Sequence, residues 1–428
     1  MPPSVFPTGV TIYRPDRAYN CYVLFDGRDT RSYLIDMNGN DVHVWDYCGF
    51  PVEMIDPRLT GGKRGHILAQ KEPDIFNNET LLELDWDGNV VWEWGEKAPS
   101  GKAQQNHDQD RLPNGNTLVL CKLIHIVPGL SGQPVNDQAI YEVTPEGDIV
   151  WRWVSSDHID ELGFSKPEAK ALLLSSSMRP RSSIFVINNI QPLGPNRWYR
   201  AGEERFHPDN IMIDSREANF MAIIDKRTGK IVWRMGPDYP AAYDFSNRTG
   251  SRAVPRPVAM ITGQHDAHMI PEGLPGAGNV LVFDNHGSAG FPPFYLELFQ
   301  GSRVLEIDPT TKEIVWQYDA SASGMPFWSF FSSFISSARR LPNGNTLICE
   351  GMNGRVFQVT SAGEIVWEYV NPHFGTWADH DTDSGGNLTN WIFRAQPVPY
   401  DWVPEGTLRS EKPVIPPKLT GFHIRPSA

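Results

Sequence analysis

Four cysteines among 428 residues, widely scattered and without a CxxC spacing, leave little room for a disulfide framework. Cys21, Cys48, Cys121 and Cys349 are therefore read as buried free thiols. No stretch approaches the roughly 18 apolar residues of a membrane span. No Lys/Arg cluster stands out against a net charge of −13, which argues against nucleic acid as a partner. The phosphate-cradling pattern GxxxxGK[ST] is missing, which argues against nucleotide use. No HxH, HExxH or Cys/His cluster supports a metal centre, and no cofactor is expected. The first residues, MPPSVFP, carry neither a basic n-region nor an apolar h-region, so a cytoplasmic protein is expected unless a leader has been lost. A homo-oligomer is left open.

What is present is turn and strand chemistry. Hydrophobic residues make up 40%, with 37 Gly, 36 Pro and 14 Trp, a mixture that points to many short strands and tight turns. Six segments share the pattern apolar–acidic–apolar, a polar turn, then Val or Ile before Trp. They are YLIDMNGNDVHVW (33–45), LLELDWDGNVVW (81–92), YEVTPEGDIVW (141–151), AIIDKRTGKIVW (222–233), LEIDPTTKEIVW (305–316) and FQVTSAGEIVW (357–367). Each reads as a β-hairpin, two period-2 runs joined by a turn dipeptide such as Asn-Gly or Asp-Gly. The closing tryptophans are Trp45, Trp92, Trp151, Trp233, Trp316 and Trp367. Their shortest spacing, about 47 residues, is close to a four-stranded propeller blade, and the longer ones carry inserts. A tryptophan at one phase of such a repeat packs between neighbouring blades, a structural role.

A second string, RLPNGNTLVL (111–120), MIPEGLPGAGNVLVF (269–283) and RLPNGNTLIC (340–349), precedes several hairpins, with degenerate copies in KRGHILAQ (63–70) and DNIMIDS (209–215). The fold expected is all-β, a six-bladed β-propeller over residues 1–428 as one domain. Pairing NWIFRAQPV (390–398) with NCYVLFD (20–26) would close the ring and abolish a free sheet edge. Insertions are placed at about 155–200, 237–262 and 286–301. The first holds SKPEAKALLLSSS (165–177), whose Ser165 and Glu168 form a capping box ahead of a helical run. Loops on one face of a propeller build the ligand site over the channel.

Twelve histidines allow a test of phase. Aligned on the proline before the turn, His107 precedes Pro113 and His265 precedes Pro271 by the same step, and Ser336 holds that phase before Pro342. His207 is placed similarly in the fourth repeat, and Glu53 or a neighbour is placed there in the first, which has no histidine at this phase. Rotational symmetry would gather such residues round one axis. Asn106-His107-Asp108 and Gln264-His265-Asp266-Ala267-His268 set imidazoles beside carboxylates, which orient a ring or cap a turn. Arg303, in Gly301-Ser302-Arg303, is a candidate to reach the channel. The catalytic candidates are thus His265, His207, Arg303 and His107, with His268, His286, Ser336, Asn106 and Gln264 as substrate contacts. His43, His66, His125, His158, His373 and His380 default to structure or surface. Imidazoles and an arginine at one axis suit transfer of a tetrahedral oxyanion, Arg holding the oxygens while His acts as nucleophile or acid/base.

The strings QHDAH, GNVLVFDN, GSRVLEIDPTTKEIVWQY, RLPNGNTLICEGMNGRVFQVTSAGEIVWEY and NWIFRAQPVPYDWVP resemble the aryl-sulfate sulfotransferase family, over about residues 8 to 404. The resemblance implies a six-bladed propeller. It also implies nucleotide-independent, ping-pong transfer of a sulfuryl group between small phenolic or anionic compounds. One histidine would take the group while two more and an arginine hold its oxygens. By motif, His207 in FHPDN and His265 in QHDA resemble the sulfuryl-holding histidines, and Arg303 in GSR the arginine. The sulfated histidine is expected near the sixth repeat, where FISSARR presents Ser336 instead. Two other readings stand beside this one. The first is elimination, hydrolysis or hydration of a uronate sugar or aromatic in the same pocket. The second is a non-catalytic or metal-binding propeller.

Overall fold

The computed structural model describes residues 8–47, 49–71, 78–175, 183–236, 261–286, 301–376 and 388–416. Six antiparallel sheets follow one another along the chain. Blade I is Ala395–Val398, Tyr22–Asp26, Ser32–Ile35 and Asp41–Trp45. Blade II is Glu53–Met54, Ile67–Gln70, Leu81–Leu84 and Val90–Trp94. Blade III is Gln105–Arg111, Thr117–His125, Val135–Val143 and Ile149–Val154. Blade IV is Ile187–Pro192, Ile211–Ser215, Phe220–Ile224 and Ile231–Met235. Blade V is His265–Met269, Val280–Asp284, Arg303–Ile307 and Ile314–Tyr318. Blade VI is Ser337–Arg340, Thr346–Glu350, Arg355–Val359 and Ile365–Val370, with Gly9–Tyr13 as a fifth, outermost strand. The first strands of adjacent blades touch one another and line the axis.

The repeated hairpins are the third and fourth strands of each blade. All six carry a β-bulge at the same place, between Leu34/Ile35, Glu83/Leu84, Glu142/Val143, Ile223/Ile224, Glu306/Ile307 and Gln358/Val359. The bulge increases local twist and turns each outer strand towards its neighbour. There the closing tryptophan donates its indole N–H to a carbonyl in the hairpin turn of the next blade. Trp45 reaches Asp85, Trp92 reaches Pro145, Trp151 reaches Lys226, Trp233 reaches Pro309, Trp316 reaches Ser361, and Trp367 returns to Met37. A buried indole needs such an acceptor, and the hairpin turn of the next blade presents one at its surface. Six apolar clusters fill the six seams between blades.

Ring closure is as the sequence implies, with Tyr22 opposite Val398 and Phe25 opposite Ala395. A second closure was not legible: Gly9–Tyr13 pairs with Ile365–Val370, and Tyr13 exchanges both backbone bonds with Val414. Both chain ends thus cover the seam between blades VI and I. The insertion helix Lys166–Ser175 forms with its capping box, Ser165 N–H donating to Glu168 Oε2 at 2.7 Å. Most of the insertions at 237–262 and 286–301 lie outside the described residues. Cys21, Cys121 and Cys349 are buried free thiols, and burial pushes the Cys21 thiol up to about 12; Cys48 lies outside the described residues. No described helix is long and apolar enough to cross a membrane.

Candidate active site

The inner strands enter the ring at the loop-bearing mouth and leave it at the opposite end, through short turns in blades III and VI and through a long insertion, residues 193–210, in blade IV. At the turn end, equivalent backbone bonds recur: Leu112 N to Asn116 O, Leu193 N to Asn210 O, Ile270 N to Asn279 O and Leu341 N to Asn345 O. Counting back five residues from these positions puts His107, Asn188, His265 and Ser336 on one level near the mouth, and Phe393 joins them, its carbonyl accepting from Ser336 N at 3.0 Å. The next residue along each strand is Arg394, Asp108, Asn189, Asp266 and Ser337. Those next residues lace the ring. Asp108 accepts from Ile190 N (2.8 Å), Asn189 Nδ2 donates to Ala267 O (2.6 Å), Asp266 accepts from Ala338 N (3.1 Å), and Ser337 Oγ accepts from Ala395 N (3.3 Å). Inner-strand irregularities in blades III, IV and V aim these side chains across the seams.

Below the mouth the axis is filled by charge. Arg394 forks onto Asp108, with Nη1 to Oδ1 at 2.8 Å and Nη2 to Oδ2 at 3.3 Å. Its Nη2 also lies 3.3 Å from Asn189 Oδ1, and its Nε lies 3.1 Å from Asp266 Oδ1. Arg339 donates to Asp266 at 2.7 Å and to Gln191 at 3.3 Å. Burial, then the charge of Asp108, raises the Asp110 carboxyl to about 7. Burial, then Asp110 and Asp108, pushes Glu53 well above the carboxylate range. The arginines thus offset the charge of the buried Asp108 and Asp266 carboxylates, as buried charges require.

His107 and His265 differ in what holds them. His265 donates from Nδ1 to Asn285 Oδ1 (2.7 Å), with Gly263 O also near at 3.1 Å, and its Nε2 accepts from Ile335 N (3.2 Å). Both ring nitrogens are engaged, so His265 clamps the 332–336 loop, helped by Asn285 Nδ2 donating to the carbonyls of Ser332 and Ile335. Burial, then Arg216, lowers its pKa to about 3. His107 Nδ1 is buried without a hydrogen-bond partner among the described residues. Its ring lies 5.1 Å from Phe50 and 6.0 Å from Phe393. Burial, then the charge of Lys122 and the nearness of His265, Arg216 and Arg394, holds it well below the usual imidazole range. It is a neutral imidazole with a lone pair. Its φ of +66°, and that of +61° at Asp266, lie in the left-handed region that costs a non-glycine residue about 1–3 kcal/mol.

The remaining candidates fall into three places. His268 lies deeper, its Nδ1 2.9 Å from Asp266 O, and burial, then Arg339, lowers its pKa to about 3. His286 and Arg303 meet at Asp284: Arg303 Nε donates to Oδ2 at 2.7 Å, His286 N donates to Oδ1 at 3.2 Å, and His286 Nδ1 lies 2.9 Å from Gly301 O. Asn106 Nδ2 donates to Gln138, Gln264 Nε2 to Ser215 and Phe220 carbonyls, and Ser336 Oγ to Ser332 while accepting from Gly351 N. These three side chains tie strands and loops together.

His207 is not at the shared level. It caps the short helix Glu204–Phe206 between the first two strands of blade IV, at the turn end. Its Nδ1 accepts from Asp209 N at 3.2 Å, and with Trp151, Lys226 and Arg227 it lines a separate cavity of about 510 Å³. The five residue steps from Asn188 to Leu193 span about 17 Å of strand, so His207 lies about that far from His107's level. In blade IV Asn188 holds the phase, accepting from Arg216 N at 3.0 Å. A long insertion separates it from the strand that His207 precedes, so His207 is offset from the shared phase along the axis. Arg394 and Phe393 were missed because the first blade takes its inner strand from the far end of the chain. The string NWIFRAQPV, whose pattern marks it as that strand, carries the signal for both. An aromatic wall, Phe50, Phe334, Trp391 and Phe393 with Ile335, completes the mouth. Arg216 lies 5.9 Å from the Phe334 ring and Arg28 4.8 Å from that of Trp391.

No curated protein matches the chain. Solved structures resemble it distantly. A protein of unknown function from Bacteroides caccae shares 14% identity over 89% of this chain and 99% of its own, with a TM-score of 0.47. Virginiamycin B lyase from Staphylococcus aureus shares 12% over 87% and 88%, at 0.40. Apo AztD from Citrobacter koseri shares 8% over 88% and 98%, at 0.38. Likenesses this weak carry no argument about function. The arylsulfotransferase (ASST) family model, in contrast, matches residues 19–374, most of the chain, and the protein belongs to that family.

Proposed function

We propose that the protein transfers a sulfuryl group from an aryl sulfate to a phenol, with His107 as the residue that carries it. The observation behind this reading is the contrast between the two imidazoles at the mouth. His265 has both ring nitrogens bonded, whereas His107 Nδ1 has no partner among the described residues. A histidine kept neutral by burial keeps its lone pair at neutral pH, the state a nucleophile needs.

In the first half-reaction a His107 nitrogen attacks sulfur, the bond from sulfur to the aryl oxygen breaks, and the phenolate leaves with the electron pair. In the second, the acceptor's oxygen attacks sulfur, its proton passes to solvent or a nearby base, and the bond from nitrogen to sulfur breaks. Lys122 and Arg216, whose charge is felt at His107, supply positive potential for the sulfuryl oxygens. Arg303, fixed by Asp284, is the arginine the family pattern points to. Phe50 and Phe393 offer flat apolar faces beside the ring for an aromatic substrate. Membership of the arylsulfotransferase family supports a transferase of this kind.

The test is to mix the protein with p-nitrophenyl sulfate, quench, and weigh it intact. A sulfuryl adduct should form, should be discharged by added phenol, and should be lost in His107→Asn. Absence of both adduct and phenol-stimulated p-nitrophenolate release would reject transfer and leave acid–base chemistry on another substrate.

A further inference from the structure

We propose that Arg394, on the strand that closes the ring, is a positioning residue that fixes His107 through Asp108; the proposal rests on the transfer reading above. The guanidinium reaches residues of three blades that stand at one level: Asp108 of blade III, Asn189 of blade IV and Asp266 of blade V. Two of these directly follow the imidazoles of the mouth, Asp108 after His107 and Asp266 after His265. The peptide at His107 is held in the left-handed region, which L-residues adopt only where the surroundings over-determine it. Asp108 supplies that constraint with both oxygens, Oδ1 to Arg394 and Oδ2 to Ile190 N at 2.8 Å. A planar fork can hold one carboxylate bidentately and still bridge to others, which a lysine ammonium cannot do.

The arrangement follows from the topology. Arg394 comes from blade I, two places round the ring from the blade of Asp108 and 286 residues away from it in sequence. Its place at the centre is therefore secured only when the last strand pairs with Tyr22–Asp26. Closing the ring and setting the His107 rotamer become one event. A role confined to closure would need only the backbone pairing of that strand; the three-blade fork goes beyond it.

The experiment compares Arg394→Ala and Arg394→Lys with the wild type in thermal melts and in the first turnover with p-nitrophenyl sulfate. For folded Arg394→Ala, adduct formation at saturating donor should slow by about 10²-fold, the effect of misplacing a reacting group by about 1 Å. The half-saturating donor concentration should stay near the wild-type value. Millimolar guanidinium should restore much of the rate without moving the melt. An unchanged rate, a loss confined to half-saturation, or no rescue would overturn the assignment. If Arg394→Ala does not fold, Arg394→Lys decides: a fall of about tenfold or more supports positioning, and an unchanged rate overturns it. Should the wild type give no adduct, the transfer reading fails on its own, and the His107 imidazole signal in a ¹H–¹⁵N spectrum, identified by its loss in His107→Asn, decides. A signal displaced in folded Arg394→Lys supports the positioning role, and an unmoved one overturns it.

Discussion

Replacing His107 by asparagine separates what the imidazole does for the fold from what it does for the reaction. On the stability side, the wild-type ring leaves Nδ1 buried without a partner, a cost of about 1–3 kcal/mol. Asparagine tolerates a φ of +66° better than most residues and carries a smaller polar group that can turn to find a bond. Against this stand the lost ring contacts with Phe50 and Phe393, worth about 0.5–1.5 kcal/mol. The two sides nearly cancel, so His107→Asn should lie within about 1.5 kcal/mol of the wild type in urea unfolding. Transfer, in contrast, should fall by at least about 10³-fold, since no side chain remains to take the group. His265→Asn should behave in the opposite way. It strands Ile335 N–H and Asn285 in the interior, each at about 1–3 kcal/mol, and should destabilise by about 2–5 kcal/mol. The adduct should still form in those of its molecules that are folded. An His107→Asn protein that retains the adduct, or one that unfolds while His265→Asn stands firm and inert, would refute the assignment of roles.

Trp367 is fully buried while Trp316 is half-buried, so Trp367→Phe should cost about 2–3 kcal/mol through an unsatisfied Met37 carbonyl and lost volume, and Trp316→Phe less than about 1, read from urea midpoints. Burial raises the Asp26 carboxyl to about 7, against about 3.9 in the unfolded chain, so the folded protein holds a proton that the unfolded one sheds. The wild type therefore loses stability as pH rises from about 4 to 7, and Asp26→Asn should gain on it by about 2.7 kcal/mol between pH 5 and 8 in paired urea titrations. His207→Ala, at the turn end, should leave first-turnover kinetics with p-nitrophenyl sulfate within about twofold of the wild type, well inside the loss expected for a group in the site.

Blade number, hairpin placement and ring closure were legible because they rest on local chemistry. A period-2 run, a turn dipeptide and a closing tryptophan each act over a few residues, and six copies make the rotational repeat plain. Asn106 and Gln264 were drawn into the site by their nearness in sequence to His107 and His265. On a strand, however, successive side chains point opposite ways, and these two tie their strands to Gln138 and to blade IV. Ser336 was in phase, yet its hydroxyl is bonded to Ser332 and Gly351 N and holds a loop.

The sequence by itself determined which residues form blades and that His107 and His265 share a level, since the repeat fixes phase wherever its turns are short. Only the tertiary structure decided that Asn188 replaces His207 at that level, because an insertion between two strands moves a residue along the axis without disturbing either strand's pattern. It also decided that His265 is bonded at both nitrogens while His107 is not, since Asn285 and Ile335 reach His265 from another strand and another blade. Arg394 is the clearest case. Its fork joins Asp108, Asn189 and Asp266, residues far apart in the chain, and no local pattern encodes a contact that exists only once the first and last strands have met.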